Sequence, residues 1–309
     1  MSDVTQLNRP WLVAVWPGMG QVAMTAGYYL MSKLSMHHFA EFPASGLFDV
    51  DYALIKGGRV RKTERPRSRL FLKQSPPGER DILLFIGEAQ PPLGKYAFCE
   101  RLIDFARDQG VERVFTFAAM ATDMHPEQPS RVFGAATDDE TFQSINRPDV
   151  SLLEEGHIGG LNGVLLGTAA DKGMPGICLL GEMPQVFSQV PFPKASLGVL
   201  RVFIEMAGNQ LDFRELEQQS EAMEHRLGEV LSKVKQHLES AMPREQDEDF
   251  YGSAPEEGLD PADKQRIEKL FQEASEDRAK AYELKSELDR LDVFTEYEDR
   301  FLDLFSQAD

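Results

Sequence analysis

Four continuous apolar runs decide the fold class. Residues 12–16 (LVAVW), 81–87 (DILLFIG), 113–120 (RVFTFAAM) and 176–180 (GICLL) show little polar–apolar alternation. A strand with one wet face alternates with a period of two, so such runs predict strands buried on both sides. Helical stretches lie between them: residues 21–34, about 96–109, and 164–172, with Gly110 where a C-cap glycine belongs. Parallel strands need crossovers of this kind. Weaker strand signals at 51–56, 70–73 and 131–137 add neighbours of mixed direction. The expected fold class is α/β, a three-layer α/β/α sandwich with a mixed, mostly parallel sheet.

The charge divides the chain. Residues 1–210 carry 23 acidic and 20 basic side chains, and residues 211–309 carry 28 and 13, so the last third holds nearly all of the net −18. The expected organisation is a core over 1–210 and an acidic helical extension over 211–309. Residues 243–260 (PREQDEDFYGSAPEEGLD) lack apolar periodicity and read as a linker. Before it, Leu216, Ser220, Met223, Leu227, Val230 and Val234 recur in steps of three and four. After it, Ile267, Leu270, Ala274, Ala281, Leu284, Leu288 and Leu291 continue the pattern, broken at Asp277. Two such seams predict a helical hairpin or coiled coil, folded on the core or offered to a partner.

Composition removes several function classes. A net charge of −18 argues against nucleic acid or an anionic membrane as partner. No apolar run approaches the roughly 18 residues of a membrane span. The start, MSDVTQLNRP, lacks the layout of a secretory leader, and two cysteines, Cys99 and Cys178, fit a reducing compartment. The expected location is therefore cytoplasmic.

Candidate site residues cluster after the apolar runs. Gly18-x-Gly20-x-x-Ala23 follows a strand and opens a helix, the order in which a dinucleotide fold brings pyrophosphate to a helix N-terminus. Glu41 stands at roughly the spacing of a ribose contact, although MHHFAEF around it is a poor strand. A tight turn that needs glycine explains the same pattern. Glu88 and Glu182 each follow a buried strand, where ligands of open α/β sheets lie. They form a candidate rim with Gly18, Gly20 and the loop GHIGGLNG at 156–163, which carries His157, Asn162 and Gly163. Helix capping, a solvated loop histidine and plain conformational need are the competing explanations. His37 and His38 are adjacent, which is not ligand spacing, and no metal site is expected. Residues 59–73 carry seven basic side chains against Glu64 alone, which suits a solvated hairpin or a site for an acidic partner or phosphate.

Taken together, the Gly18-x-Gly20 turn, DILLFIGEAQPP, GHIGGLNGVLLG and LLGEMP followed by Lys194-Ala195-Ser196 resemble the proteasome-assembly-chaperone-2 family. The likeness spans roughly residues 10–210, and the later helices resemble the tail of longer bacterial members. The resemblance implies a fold similar to purine nucleoside phosphorylases, a homo-oligomer, and a chaperone role for several relatives. Archaeal chaperones of this family look to a hydrophobic-Tyr-any ending. This chain ends Phe305-Ser306-Gln307-Ala308-Asp309 and departs from it.

The expectation is a non-enzymatic assembly or protein-binding member. It has no cofactor, it is a homo-oligomer, and a protein partner docks through the C-terminal helices. One alternative is a nucleoside- or phosphate-like small-molecule binder or hydrolase using Gly18, Glu88, Asn162 and Glu182. The other is a Rossmann-type dinucleotide-binding oxidoreductase.

Overall fold

The four apolar runs form the middle of one sheet. The structure, a computed structural model, describes residues 7–48, 53, 55–61, 65–76, 78–240, 260–291 and 293–305. From the amino end come β1 (Trp11–Val15), α1 (Val22–Lys33), β2 (His37–Glu41), a small hairpin of β3 (Ile55–Lys56) and β4 (Arg59–Val60), and β5 (Ser68–Lys73). Next are β6 (Ile82–Gly87), α2 (Lys95–Asp108), β7 (Arg113–Thr122), β8 (Val132–Ala136), α3 (Asp139–Ile145) and β9 (Ser151–Leu152). The core closes with α4 (Gly160–Asp171), β10 (Gly176–Pro184) and α5 (Pro193–Ala207). The extension holds α6 (Arg214–Ser240), α7 (Pro261–Glu276), α8 (Ala281–Arg290) and α9 (Phe294–Asp303).

The eight-stranded order is β2-β5-β6-β1-β7-β10-β8-β9. β1 lies parallel to both β6 and β7, and β10 lies parallel to β7. β5 and β8 join antiparallel, which makes the sheet mixed. Successive side chains leave the sheet on opposite sides, so each strand feeds two cores. Val13, Val15, Leu84 and Ile86 pack with α1 and α5, whereas Leu12, Ala14, Leu83 and Phe85 pack with α2 and α4. That is the expected three-layer arrangement.

Two strand expectations need correction. The signal at 51–56 gives no sheet strand: Ile55 and Lys56 pair only with β4, and residues 51, 52 and 54 lie outside the described residues. Both β3 and β4 are fully exposed, so no core face holds them to the sheet. MHHFAEF does form a strand. It is the edge strand β2, antiparallel to β5, with a register shift between His38 and Ala40 that spoils its alternation.

The extension is not a simple two-helix hairpin. At the heptad break, the Asp277 side chain ends α7 and accepts from Ala279 N at 3.0 Å, starting a single turn that leads into α8. Leu216, Ser220 and Leu227 of α6 are buried, while Val230 and Val234 are exposed, so only the first half of that seam is covered. α1 receives α6, α8 and α9 of the extension. Its Tyr28 ring meets Phe294 and Phe301 edge-on at 5.1 and 5.5 Å, and Tyr29 meets Tyr282 at 4.5 Å. The expected linker at 243–260 lies outside the described residues except for Asp260, which caps α7 by accepting from Ala262 N at 2.9 Å. No helix among the described residues is long and apolar enough to cross a membrane.

Candidate functional site

The carboxyl ends of β1, β6 and β10 carry the candidate residues. After β1, Trp16 stays buried and Gly18 opens a single helical turn. Gly20 has φ +58°, which favours glycine, and a Cβ there would sit 2.5 Å from the Met183 sulfur, so the methionine end would have to move for any other residue. Its N–H donates to Ser188 O at 2.8 Å, its carbonyl accepts from Phe192 N at 2.9 Å, and Gln21 N donates to Gly18 O at 3.1 Å. The turn therefore spends these amides on clamping the head of α1 to the β10–α5 loop. A phosphate cradle needs such amides free. Glu41 also lies on edge strand β2, with β5 and β6 between it and β1, whereas a dinucleotide fold puts its acidic residue on the strand beside the first. This geometry favours the tight-turn reading over the dinucleotide one.

Glu182 is 2% exposed and fully engaged. Arg131 grips it as a fork, Nε to Oε2 at 2.8 Å and Nη2 to Oε1 at 2.6 Å. Thr122 Oγ1 donates at 2.9 Å and Arg131 N at 3.2 Å. The Arg131 fork, with Thr122 assisting, holds the carboxyl below its usual range. The pair fastens β8 to β10 and leaves no lone pair aimed outward for chemistry.

Glu88 differs. Its N–H donates to Arg67 O at 3.0 Å and its Oε2 accepts from Arg67 N at 2.7 Å, which closes the β5–β6 hairpin ladder. Its Oε1 is buried with no hydrogen-bond partner, 3.4 Å from Arg69 Nη2. Burial pushes this carboxyl up, against the pull of the Arg67 amide and Arg69. Arg69 is itself buried and ion-paired with Asp299 of α9, and Arg67 pairs with Glu41 and Asp299.

Glu88 and Glu182 do not share a pocket. Alternation puts Glu88 with Ile86 on the α1 side of the sheet and Glu182 with Cys178 and Leu180 on the other. They also stand on strands with β1 and β7 between them.

The glycine loop does join the Gly18 turn, through a residue that the sequence did not single out. Gln90 donates from Nε2 to Pro17 O at 3.2 Å and accepts at Oε1 from Leu161 N at 3.0 Å. It ties the β1 turn, the loop after Glu88 and the head of α4 together. A glutamine between a buried strand and Pro91-Pro92 was the available signal, since a loop there needs a side chain to pair its backbone groups. At Gly163 a Cβ would lie 1.8 Å from Ile158 O, so the loop folds back on α4 only with glycine there. Asn162 Oδ1 is buried without a partner, and His157 is exposed. Arg67 and Arg69 went unnoticed as individuals, although their spacing of two within the basic run already put them on one strand face.

Both thiols are buried, and that burial pushes Cys99 and Cys178 up to about 12, which makes them poor nucleophiles. Among the described residues no three His, Cys, Asp or Glu side chains gather as a metal group would.

Comparison with known proteins gives a consistent set. The model of the PAC2 family matches residues 12–231. An uncharacterized protein of Methanocaldococcus jannaschii is 25% identical over 261 residues, covering 82% of this chain and 96% of its own length. The crystal structure of PbaB of Pyrococcus furiosus, an archaeal proteasome activator, superposes with a TM-score of 0.61 at 25% identity, covering 75% of this chain and 96% of that one. A proteasome-assembly chaperone homologue of Mycobacterium tuberculosis gives 0.61 at 22% identity, covering 71% and 94%, and so shares the fold.

Proposed function

The chain belongs to the PAC2 family, and from that premise we propose that it is a non-enzymatic protein-binding member that acts as an assembly chaperone. One observation carries the reading. The rim of the sheet spends the Gly20 amide and carbonyl, the Glu182 carboxylate and the Gln90 side chain on internal bonds. It exposes large apolar groups: Met19 is 46% exposed, Leu93 73% and Val186 73%. These three stand on loops that the Gly20–Ser188 and Gln90–Pro17 hydrogen bonds tie together. Apolar groups gathered on a polar rim mark a protein contact. The names of the similar structures, an activator and a chaperone homologue, support the same class. Self-association through the core and a second protein contact on the exposed end of α6, at Val230 and Val234, belong to this reading.

Cross-linking mass spectrometry on the full chain in its native cell tests it. A stoichiometric protein partner should cross-link at this rim, and Val186→Glu with Leu93→Glu should abolish it while circular dichroism stays unchanged. Cross-links unaffected by both changes would refute the reading. Light scattering of the same samples reads whether the partner is a second copy.

A small-molecule site is the second reading. Trp16 Nε1, Ser68 Oγ and Asn162 Oδ1 are buried without partners, and Ser68 pairs with Gly87, over which the Trp16 ring lies. A thermal-shift panel of nucleosides and phosphates checks this. A ligand-dependent rise that Asn162→Ala removes would support it, and no rise would end it.

A further inference from the structure

The basic run at 59–73 acquires a purpose once α9 is in place. Glu41, Arg67, Arg69 and Glu88 stand side by side across β2, β5 and β6, on the face that α1 covers. Onto this face α9 lays an aromatic edge and two carboxylates. Phe301 and Phe305 are fully buried, Phe305 lies 6.3 Å from Phe71, and Phe305 O accepts from His38 N at 2.6 Å. Tyr28 OH donates to Glu298 Oε1 at 2.6 Å, and both Arg67 and Arg69 pair with Asp299.

The fit is good in shape and poor in polarity. Arg69 Nη1 lacks an acceptor, and buried Glu88 Oε1 has no hydrogen-bond donor, only its 3.4 Å ion pair with Arg69 Nη2. Glu298 and Asp299 offer acceptors only, and they add like charge beside Glu88. Burial and this crowding push both Glu88 and Glu298 upward. On the far side of α9, the Arg300–Glu268 fork to α7 is exposed at both ends and contributes little, beside the contacts of Tyr297 and Arg300 with the Phe271 ring. A permanently docked element satisfies its buried polar groups, as the Glu182–Arg131 pair does.

We propose that the face formed by Tyr28, Arg67, Arg69, Phe71 and Glu88 is a docking site for a partner protein's amphipathic helix, and that α9 is its built-in competitor. The partner helix carries two aromatic anchors seven residues apart, like Phe294 and Phe301. It bears a carboxylate for the arginines, and an amide or hydroxyl donor where α9 has Glu298. That donor meets Glu88 Oε1, which α9 leaves with no hydrogen bond beyond its ion pair with Arg69. The inference rests on the protein-binding reading only in taking the occupant to be a protein.

The probe is a fluorescein-labelled peptide of residues 293–305, with fluorescence anisotropy on the full chain as readout. Asp299→Lys in the chain loosens α9 from Arg67 and Arg69, so peptide affinity should rise about tenfold over wild type, within the usual range of coupling. A peptide carrying Glu298→Gln should bind more tightly than the native one. Arg67→Glu combined with Asp299→Lys should cancel the gain. Hydrogen exchange on the same chains shows whether α9 opens while α1 stays closed, which separates release from unfolding. If α9 amides exchange no faster than those of α1, or if neither peptide binds the Asp299→Lys chain, the inference is wrong. A second copy exchanging its own α9, seen as a dimer by light scattering, would also overturn it. Peptide binding without any partner at the rim would sink the proposed function alone, and the reverse result would sink this inference alone.

Discussion

Removing the Arg131 side chain would strand Glu182, because the carboxylate is 2% exposed and would keep only Thr122 and one backbone N–H. A buried charge that loses its partner costs about 2 kcal/mol or more. Glu182→Gln is milder, since the freed Arg131 is 60% exposed and turns to water. Thermal denaturation should therefore rank Arg131→Leu below Glu182→Gln, and the opposite order would refute the account. The sign with pH follows from the same pairing. Glu182 is held below the usual carboxylate range, so its contribution is complete above that range and is lost as pH falls through its lowered value. Gly163 makes a separate case. Alanine there would push a methyl against Ile158 O, and overpacking of this kind costs about 1–3 kcal/mol, with the loop at 156–163 the first part to loosen. A Gly163→Ala chain that melts with the wild type would show that the loop has room to shift.

At the scale of elements, the attachment of α9 depends on protons. Glu298 faces Tyr28, Arg69, Lys285 and Asp299, and Glu88 faces Arg67, Arg69, Glu298 and Asp299. Burial raises both carboxyls above their ordinary value, so the docked state holds protons more tightly than the released one. Docking is strongest below the ordinary carboxylate range, weakens as pH rises through the raised values, and levels off above them. Protection of α9 amides, corrected for intrinsic exchange, should fall along that course, and Glu298→Gln should make it shallower, leaving the part due to Glu88. A profile without slope in the wild type would count against the arrangement. The parallel centre of the sheet was legible because burial on both faces leaves an unbroken apolar run, as in LVAVW and GICLL. Strand β2 was hidden because an edge strand is covered on one side and its register shift breaks alternation. The Gly18-x-Gly20 pattern was legible as a turn but not as a clamp, because its hydrogen-bond partners Ser188 and Phe192 come from the far end of the core. Glu88 and Glu182 were indistinguishable as letters. Only the parity of their positions along β6 and β10, counted from the buried faces, separates them.

At the scale of the whole molecule, α1 explains why the acidic extension folds back. Every residue from Val22 to Ser32 is buried, so this helix has no solvent face. A helix apolar on all sides must be covered on all sides. The sheet and α5 cover one side, and the extension covers the other. Tyr29 OH donates to Asp212 O, Ser32 Oγ donates to Arg278 O at 2.9 Å, and Lys33 Nζ meets Glu215 at 2.7 Å. The run VAMTAGYYLMS carries that requirement in the sequence itself. A chain ending at residue 210 would bare Tyr28 and Tyr29, each worth about 150–250 Å² of buried surface. Such a chain should self-associate and lose the cooperative melt, so its light scattering would report aggregation rather than the native oligomer. The full chain should unfold in a single calorimetric transition whose van't Hoff and calorimetric enthalpies agree, because α1 cannot keep its structure once the sheet side or the whole extension is gone. Release of α9 alone leaves α6 and α8 against it. Two separated transitions would show that the extension comes away while the core stays intact. So would a 1–210 chain that is monomeric and melts within a few degrees of the whole. Either result would mean that the sheet and α5 alone suffice to hold α1.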